Sequence, residues 1–225
     1  SNPLDSYLDI EAVIDAAKSM GVDAVHPGYG FLAENADFVR RLEEEEITFI
    51  GPSSDVIRLL GDKIEARKAM EAAGLPVAKG SSEPVSSADE AVSLATEIGY
   101  PVIIKAAAGG GGIGMQIVHD SSEFSSALNL CQSRARSAFG DDRVFVEKYI
   151  EGAQHIEFQV LADGENAIHF GERFCSIQRR HQKLLEEGPW LSDEVRSEIG
   201  SKVCAGAKAV GYRGLATFEF LRDSN

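Results

Sequence analysis

A glycine run near the middle of the chain is the strongest local signal for chemistry. It comprises Gly109, Gly110, Gly111, Gly112 and, after Ile113, Gly114. Consecutive glycines lose much backbone entropy in any fixed structure, and without side chains their N–H groups can approach an anion closely. The spacing satisfies GxGxxG, but that motif needs a following helix, and residues 115–118 alternate like a strand. The run therefore predicts a flap between two strands that closes over phosphates, with an unliganded surface hairpin as the alternative.

Two strand ends near this run carry further candidate groups. Lys105 ends an apolar strand just before the flap, where its ammonium could reach phosphate oxygens, although a lysine there is more often only solvated. Glu147-Lys148-Tyr149-Ile150 ends another apolar strand and is typical of a hinge between two lobes. Such a hinge presents backbone groups and Glu147 to an adenine edge while Ile150 covers the ring. An exposed ion pair at a strand end is the alternative.

The charge balance narrows the class of ligand. The 225 residues include 22 Lys and Arg against 36 Asp and Glu, for a net charge of −14. This balance argues against a nucleic-acid-binding surface. The basic residues do cluster between Gln178 and Lys183, and so short a patch suits a small anion better than a polymer.

The cysteine spacing and the hydropathy of the sequence indicate which cellular compartment to expect. Cys131, Cys175 and Cys204 are scattered and never spaced as CxxC, so they indicate neither a disulfide framework nor a zinc site. No run of about 18 apolar residues is present to span a bilayer, and no basic segment leads into an apolar stretch at the N-terminus. We therefore expect a protein without a membrane partner, in the cytoplasm or, in a eukaryote, the mitochondrial matrix.

The hydrophobic periodicity predicts alternating helices and strands, and hence an α/β fold. Helices are predicted at about 9–20, 30–45, 87–98, 122–138 and 193–210, with two more divided at Gly61 and ending before Pro76. Strands are predicted at about 23–26, 48–50, 101–105, 115–118, 144–148, 155–161, 167–173 and 216–221. At 44% hydrophobic content the chain can bury a core, and its length favours two or more domains.

Several of these segments together resemble a known group of enzymes. Tyr100-Pro101-Val102-Ile103-Ile104-Lys105, with Gly111-Gly112-Ile113-Gly114 after it, is similar to the signature of ATP-grasp ligases, which activate a carboxylate or bicarbonate as an acyl phosphate. Four further segments resemble biotin carboxylases specifically: His26 to Asn35, Gly61 to Lys63, His155 to Val160 and Cys175 to Lys183. The resemblance runs from about Tyr7 to Leu221, nearly the whole chain.

The resemblance implies an ATP-grasp fold in three parts. Residues 1–60 would be the C-terminal part of a Rossmann-like N-terminal domain, residues 61–146 an α+β lid subdomain with the glycine flap and its leading helices, and residues 147–225 the first part of the larger ATP-binding lobe. The implied reaction is ATP-dependent carboxylation of biotin with bicarbonate through carboxyphosphate. It would use ATP, Mg²⁺ or Mn²⁺, bicarbonate and biotin. Implied partners are the biotin carboxyl carrier protein and the carboxyltransferase of an acyl-CoA or pyruvate carboxylase, in a homo-oligomer.

The resemblance also assigns roles to single residues. It places these positions at the nucleotide: Lys63, Lys105, Gly109, Gly110, Gly111, Gly112, Gly114, Met115, Glu147, Lys148, Ile150, His155, Gln178 and His181. Catalytic positions would be Arg180, His181 and Lys183, with Lys183 beside bicarbonate, and Glu219 would ligate the metal. A γ-phosphoryl group that moves to bicarbonate spreads charge over several oxygens, so lysines, guanidinium groups and carboxylate-held Mg²⁺ suit its stabilisation.

Three places depart from the family pattern. Ile113 stands where the family usually has Lys or Arg, Phe174 where it has an acidic residue, and Gly188-Pro189-Trp190 where it has Ala-Pro-Ala or Ala-Pro-Ser. The family pattern also continues past Leu221 with a second metal-binding glutamate, an asparagine, an arginine for bicarbonate and a catalytic glutamate base. We expect the 225-residue chain to be inactive without them.

Two other functions stay open at this point. Another ATP-grasp ligase, such as one similar to carbamoyl phosphate synthetase, would explain the flap but not the segment from Gln178 to Lys183. A non-catalytic module that binds nucleotide without turning it over would explain the nucleotide positions alone.

Overall fold

The computed structural model describes residues 4–85, 87–108, 114–179 and 182–223. Its helices are α1 (Leu4–Tyr7), α2 (Ile10–Met20), α3 (Ala36–Glu44), α4 (Ser54–Gly61), α5 (Lys63–Ala72), α6 (Ala88–Ile98), α7 (Ser121–Phe139) and α8 (Asp193–Ala209). Its strands are β1 (Ala24–Val25), β2 (Thr48–Phe49), β3 (Val102–Ala106), β4 (Met115–Val118), β5 (Val144–Lys148), β6 (Gln154–Asp163), β7 (Ala167–Arg179), β8 (Gln182–Glu187) and β9 (Arg213–Arg222). These elements confirm the predicted mixture of helices and strands. Among the described residues, no helix has the length and apolar character needed to cross a membrane.

Side-chain caps fix where the helices begin. Asn35 accepts a hydrogen bond from the Phe38 N–H at 2.9 Å ahead of α3, and Asp62 accepts one from the Ile64 N–H at 2.9 Å ahead of α5. Such caps satisfy backbone donors that the first helical turn leaves without partners. The prediction of a helix from residue 30 is wrong at its N-terminal end, because turns precede Asn35 and the helix begins only after this cap.

The N-terminal part contains a short parallel pair of strands. β1 and β2 align Ala24 with Thr48, and α2 and α3 contribute the core beside them. Ile14, Phe38 and Leu42 belong to this core and are at most 1% exposed. The helical spacing of these apolar residues places them on one face of each helix, as the sequence predicts.

A three-stranded antiparallel sheet with the order β4-β3-β5 follows. β3 pairs with β4 from Val102 opposite Val118 to Lys105 opposite Met115, and α6 and α7 pack against the sheet. Because a strand follows the glycine run, the rejection of the dinucleotide fingerprint is confirmed. The flap glycines at 109–112 lie outside the described residues.

The larger sheet has the antiparallel order β8-β7-β6-β9. Ile156, Phe158 and Val160 of β6 are buried in a core to which α8 contributes. Successive strand residues point to opposite faces, so the intervening Glu157 and Gln159 point away from that core. This alternation packs one face of the sheet against the hydrophobic core and leaves the other face polar.

Two boundaries in this sheet differ from the sequence prediction. β7 continues to Arg179 instead of ending near residue 173, and β8 was not predicted. The side chains of β8 are mostly exposed, so no apolar alternation signals this strand. It exists through its pairing with β7, a contact between segments that local periodicity does not encode.

Glu172 is a buried carboxylate that ties β7 to the start of α8. Its Oε1 accepts hydrogen bonds from the N–H groups of Trp190 at 2.8 Å and Leu191 at 2.7 Å, and Arg196 donates from Nε to Oε2 at 2.7 Å. Burial raises the pKa of this carboxyl, but the Arg196 hydrogen bonds and the backbone donors outweigh burial and lower the pKa to about 2. A carboxylate paired in this way holds three separate segments together.

The lowered pKa of Glu172 predicts a share of stability that acid removes. A carboxyl whose pKa falls on folding stabilises the fold fully above its usual pKa of 4.5, and this contribution disappears as the pH falls toward the folded value of about 2. Glu172→Gln should therefore lower the free energy of unfolding at pH 7 by about 3 kcal/mol, and its difference from the wild type should shrink between pH 5 and pH 2. Urea titrations across this range measure the difference. A gap that stays constant with pH contradicts the assignment, and Glu198→Gln, at an exposed glutamate of α8, is the control.

Candidate functional site

Lys105 and Glu147 form a partly buried ion pair across adjacent strands. Lys105 lies in β3 and Glu147 in β5, and the Lys105 Nζ is 2.6 Å from Oε2 of Glu147. The other carboxylate oxygen is 3.9 Å from Nη1 of Arg67 on α5. All three side chains are at most 23% exposed, so water screens their charges little. Glu147 thus holds two cations at the end of β5.

Lys63, the first residue of α5, brings another ammonium to the same place. Its Nζ donates to the carbonyl oxygen of Ala106, the residue after Lys105, at 3.3 Å. Burial and repulsion from Lys105 lower the pKa of Lys63. An anionic ligand would offset this repulsion, so the two lysines near the end of β3 favour an anion.

The segment after Glu147 lines a cleft of about 400 Å³. The cleft walls are Ala78, Lys79, Pro101, Lys148, Tyr149, Ile150, Glu151 and Asp223. Backbone pairing fixes this segment, because the Lys148 N–H donates to the Lys79 carbonyl at 2.7 Å and the Tyr149 N–H donates to the Pro101 carbonyl at 3.1 Å. A hinge between two lobes at this segment stays a prediction. The Glu147 carboxylate itself lies against Lys105, and its contact with adenine stays a prediction.

A second depression, of about 540 Å³, lies on α7. Its walls are Asn129, Gln132, Ser133, Arg136 and Ser137. All of them belong to one helix face, and none is a predicted site residue. We therefore centre the candidate site on the hinge cleft and on the polar face of the larger sheet.

One buried carboxylate links all four strands of that sheet. Glu157 of β6 is 2% exposed. Its Oε2 accepts a hydrogen bond from Nη2 of Arg173 on β7 at 3.0 Å, and its Oε1 pairs with the ammonium of Lys183 on β8. The Lys183 Nζ also lies 2.7 Å from Oε1 of Glu219 on β9, and Arg173 Nε lies 2.7 Å from Oε2 of Glu186. The network brings the predicted Lys183 and Glu219 together.

The network sets the charge of its members. Burial alone would lower the pKa of Lys183, but its pairing with Glu157 and Glu219 raises it above the ordinary value. Burial raises the pKa of Glu157, and the contacts with Lys183 and Arg173 reverse this shift and lower the pKa overall. Lys183 is therefore a fixed positive charge at neutral pH. A fixed ammonium of this kind suits a small anion.

Glu157, Cys175 and Glu186 offer ligand atoms within 4.8 Å of one another. Arg173 and Lys183 already pair with these carboxylates. Burial and the nearby carboxylates raise the pKa of Cys175 to about 11, so its thiol is protonated at neutral pH and is a poor ligand. This set does not suit a metal cation.

Other predicted positions lie on the strands around these groups. Met115 of β4 lies opposite Lys105 in the β3–β4 pair. Gln178 lies opposite Lys183 in the β7–β8 pair. His155 begins the polar face of β6 two residues before Glu157, and its backbone N–H donates to the Ser176 Oγ at 2.8 Å.

Some predicted positions differ in direction or lie outside the described residues. The Lys148 Nζ donates to the carbonyls of Gly99 at 2.9 Å and Tyr100 at 3.1 Å, so its side chain is directed to the end of α6. Gly114 adopts a positive φ of 74°, which glycine tolerates best. The positions outside the described residues are Gly109, Gly110, Gly111, Gly112, Arg180 and His181.

Sequence reasoning missed the parts played by Arg67, Glu157 and Arg173. A signal existed for Glu157, because it stands between the buried apolar residues Ile156 and Phe158 on a strand whose alternate residues are polar. A buried charged residue between apolar core residues of a strand indicates a site. Arg67 and Arg173 have no comparable signal, since their partners come from distant elements.

Comparison with known proteins assigns the chain to a family. A model described as "Biotin carboxylase, N-terminal domain" matches residues 1–57, and one described as "Carbamoyl-phosphate synthase L chain, ATP binding domain" matches residues 62–225. Biotin carboxylase 1 from Bacillus subtilis is 52% identical over 224 residues, which are 98% of this chain and 50% of the relative. The chain belongs to the biotin carboxylase family.

Further members of the biotin carboxylase family match over the same extent. A pyruvate carboxylase subunit from Methanothermobacter thermautotrophicus is 50% identical over 222 residues, which are 97% of this chain and 45% of the relative. The chain therefore spans about half the length of the curated relatives it matches.

Solved structures of biotin carboxylases confirm the predicted ATP-grasp fold. The biotin carboxylase domain of 2-oxoglutarate carboxylase from Hydrogenobacter thermophilus, solved as a dimer with MgADP, ADP and bicarbonate, matches with a TM-score of 0.95 and 48% identity over 99% of this chain and 50% of that chain. The biotin carboxylase–β-γ-ATP complex from Campylobacter jejuni matches with a TM-score of 0.95 and 49% identity over 98% of this chain and 50% of that chain.

Removing the charge of Glu157 should destabilise the chain strongly. Glu157→Gln leaves Lys183 and Arg173 without their shared anion, and breaking a buried ion pair costs about 3 kcal/mol or more. Glu186→Gln removes a largely exposed partner of Arg173 and should cost less than about 1 kcal/mol. Urea unfolding at pH 7 measures both variants. Equal losses in the two variants would show that Glu157 is no more than a surface partner.

Proposed function

We propose that the full-length protein carboxylates biotin with ATP and bicarbonate. The γ-phosphoryl group of ATP would pass to a bicarbonate oxygen, which gives carboxyphosphate and ADP. Carboxyphosphate would then break down to CO₂ and phosphate, and the deprotonated N1′ of biotin would attack CO₂ to give carboxybiotin. The observation that carries this proposal is the network around Lys183, which offers a fixed ammonium for bicarbonate in a chain that is 48% identical to a domain solved with bicarbonate and MgADP.

The lysine pair would bind the phosphates of the nucleotide. Lys63 and Lys105 converge at the end of β3, and burial together with mutual repulsion makes an anion favourable between them. When the phosphates arrive, Lys105 can share its charge between Glu147 and a phosphate oxygen. The hinge cleft after Glu147 would take the adenine, with Ile150 as an apolar wall.

Lys183 would hold bicarbonate at the polar face of the larger sheet. Its ammonium is fixed by the buried Glu157, so it needs little reorganisation when an anion binds. Glu219 is 63% exposed and is the partner that can give way to the anion. Arg180 and His181 stay proposed catalytic neighbours on the segment before Lys183.

Glu219 also fits a role as a Mg²⁺ ligand. Mg²⁺ in nucleotide sites is bound through one or two carboxylates together with phosphate oxygens, and Glu219 is an exposed carboxylate beside the proposed anion site. The ion, or Mn²⁺ in its place, would neutralise charge on the transferred phosphoryl group. By our proposal, the partners of the full-length protein are the biotin carboxyl carrier protein, the carboxyltransferase and a second copy of the same chain.

The function is tested by ADP release from the full-length protein. We expect release that requires bicarbonate and is stimulated by free biotin. The 225-residue chain, assayed beside it, should show no biotin-dependent release, because the proposed base lies beyond Leu221 in the family pattern. Bicarbonate-dependent release that ignores biotin would favour a carbamoyl-phosphate-synthase-like ligase, in line with the model that matches residues 62–225.

Lys183→Ala in the full-length protein should impair the use of bicarbonate far more than the use of ATP. We expect the KM for bicarbonate to rise at least about tenfold and the KM for ATP to change less than about twofold, because Lys183 is assigned to the smaller anion. Since Lys183 also pairs with buried Glu157, circular dichroism checks that the variant folds. Lys202→Ala, at an α8 lysine paired only with Glu198 among the described residues, is the matched control. Equal changes in both KM values contradict the assignment.

A further inference from the structure

Two of the places that depart from the family pattern meet in the structure. The rings of Phe174 on β7 and Trp190 after β8 stack with centroids 4.3 Å apart and planes at 22°. Between β8 and Trp190 stands Gly188, where a Cβ would lie 2.6 Å from the carbonyl oxygen of Glu172. An alanine at position 188 would clash with the backbone of β7 two residues before Phe174. Glycine at 188 is therefore compatible with the stack of Trp190 on Phe174.

The same place is anchored by the buried Glu172. Its Oε1 accepts the N–H groups of Trp190 and Leu191, so the backbone under the indole is fixed as well as the ring. Arg196 of α8 donates to both oxygens of the carboxylate and also to the Leu191 carbonyl at 2.7 Å. The chain after β8 is therefore fixed by an aromatic stack on one side and by a charged hydrogen-bond network on the other.

The strand that precedes this anchor is otherwise held by its pairing with β7 and by the ion pairs of Lys183 and Glu186. β8 lies at the edge of the larger sheet, pairs only with β7 among the described residues, and is mostly exposed. Its pairing with β7 is irregular between Phe174 and Gln178. Yet β8 carries Lys183, whose ammonium must meet Glu157 on the polar face. Besides its pairing with Glu157, the position of Lys183 then depends on how firmly the C-terminal end of β8 is held.

We infer that Glu172, Phe174 and Trp190 form a clamp that positions Lys183 by fixing the end of β8. Phe174 and Trp190 are positioning residues. They lie on the opposite face of the larger sheet from Glu157, so they affect Lys183 only by holding β8. The inference rests on the proposed function for its effect on bicarbonate. Its structural part, the immobilisation of residues 182–187, can be measured independently of any activity.

Trp190→Ala in the full-length protein tests the clamp in two ways. Amide hydrogen exchange of residues 182–187 should become about tenfold faster, because the stack no longer resists local opening of the edge strand. The KM for bicarbonate should rise about tenfold while the KM for ATP changes less than about twofold, since small displacements of a positioning group are costly. Trp190→Phe keeps a ring that can stack and should restore both values most of the way to wild type.

Phe170→Ala is the matched control, because Phe170 is an aromatic residue of the same strand that is 62% exposed and outside the stack. It should leave exchange of β8 and both KM values unchanged. If Trp190→Ala does not fold, Phe174→Leu removes the stack but keeps an apolar side chain and is measured in the same way.

The outcomes separate the inference from the proposed function. Unchanged exchange of β8 in the folded variant overturns the clamp, as do equal changes in the two KM values. A wild-type protein without biotin-dependent ADP release overturns the proposed function, and faster exchange of β8 in the variant would still support the clamp. Failure of Trp190→Phe to restore β8 protection would show that ring stacking is not what holds the strand.

Discussion

The polar face of the larger sheet depends on the burial of one negative charge. A carboxylate as enclosed as that of Glu157 is costly unless cations and hydrogen bonds compensate it. Those cations come from β7 and β8, and the lysine among them reaches on to β9. Because both cations come from other strands, the charge of Glu157 is compensated only when β6, β7 and β8 have their native arrangement. The same requirement places an ammonium at a fixed point on the surface.

The smaller sheet brings positive charges together, whereas the larger sheet buries a negative one. Lys63 and Lys105 gather positive charge at the end of β3, and their repulsion adds to burial in lowering the pKa of Lys63. Two ammonium groups held together in this way have a standing preference for an anion. The network of Glu157 has three carboxylates for two cations and holds its lysine in place. One centre attracts negative charge, and the other holds an ammonium at a fixed position.

Local sequence patterns predicted most of the fold and named several of the residues that the structure brings together. Apolar periodicity located the helices, and the strands before and after the glycine run were recognised because both have short apolar or alternating patterns. β8 was missed because an exposed edge strand has no apolar pattern and depends on its partner. The motifs singled out Lys105 and Lys183, whose roles stay predictions. Arg67, Arg173 and the role of Glu157 were not identified, because their contacts join segments far apart in the chain, and distances of that kind are fixed only by the tertiary fold.

The outer edge of β9 is a place where another β-strand can pair with the chain. β9 is ten residues long, and among the described residues only β6 pairs with it. Its far edge therefore presents a row of backbone donors and acceptors beside the exposed side chains of Leu215 and Leu221. Such an edge is a template for another strand, whether from elsewhere in the same polypeptide or from a neighbouring molecule. Arg213, Glu219 and Arg222 are the charges along β9 that oppose edge-to-edge pairing with an unrelated strand.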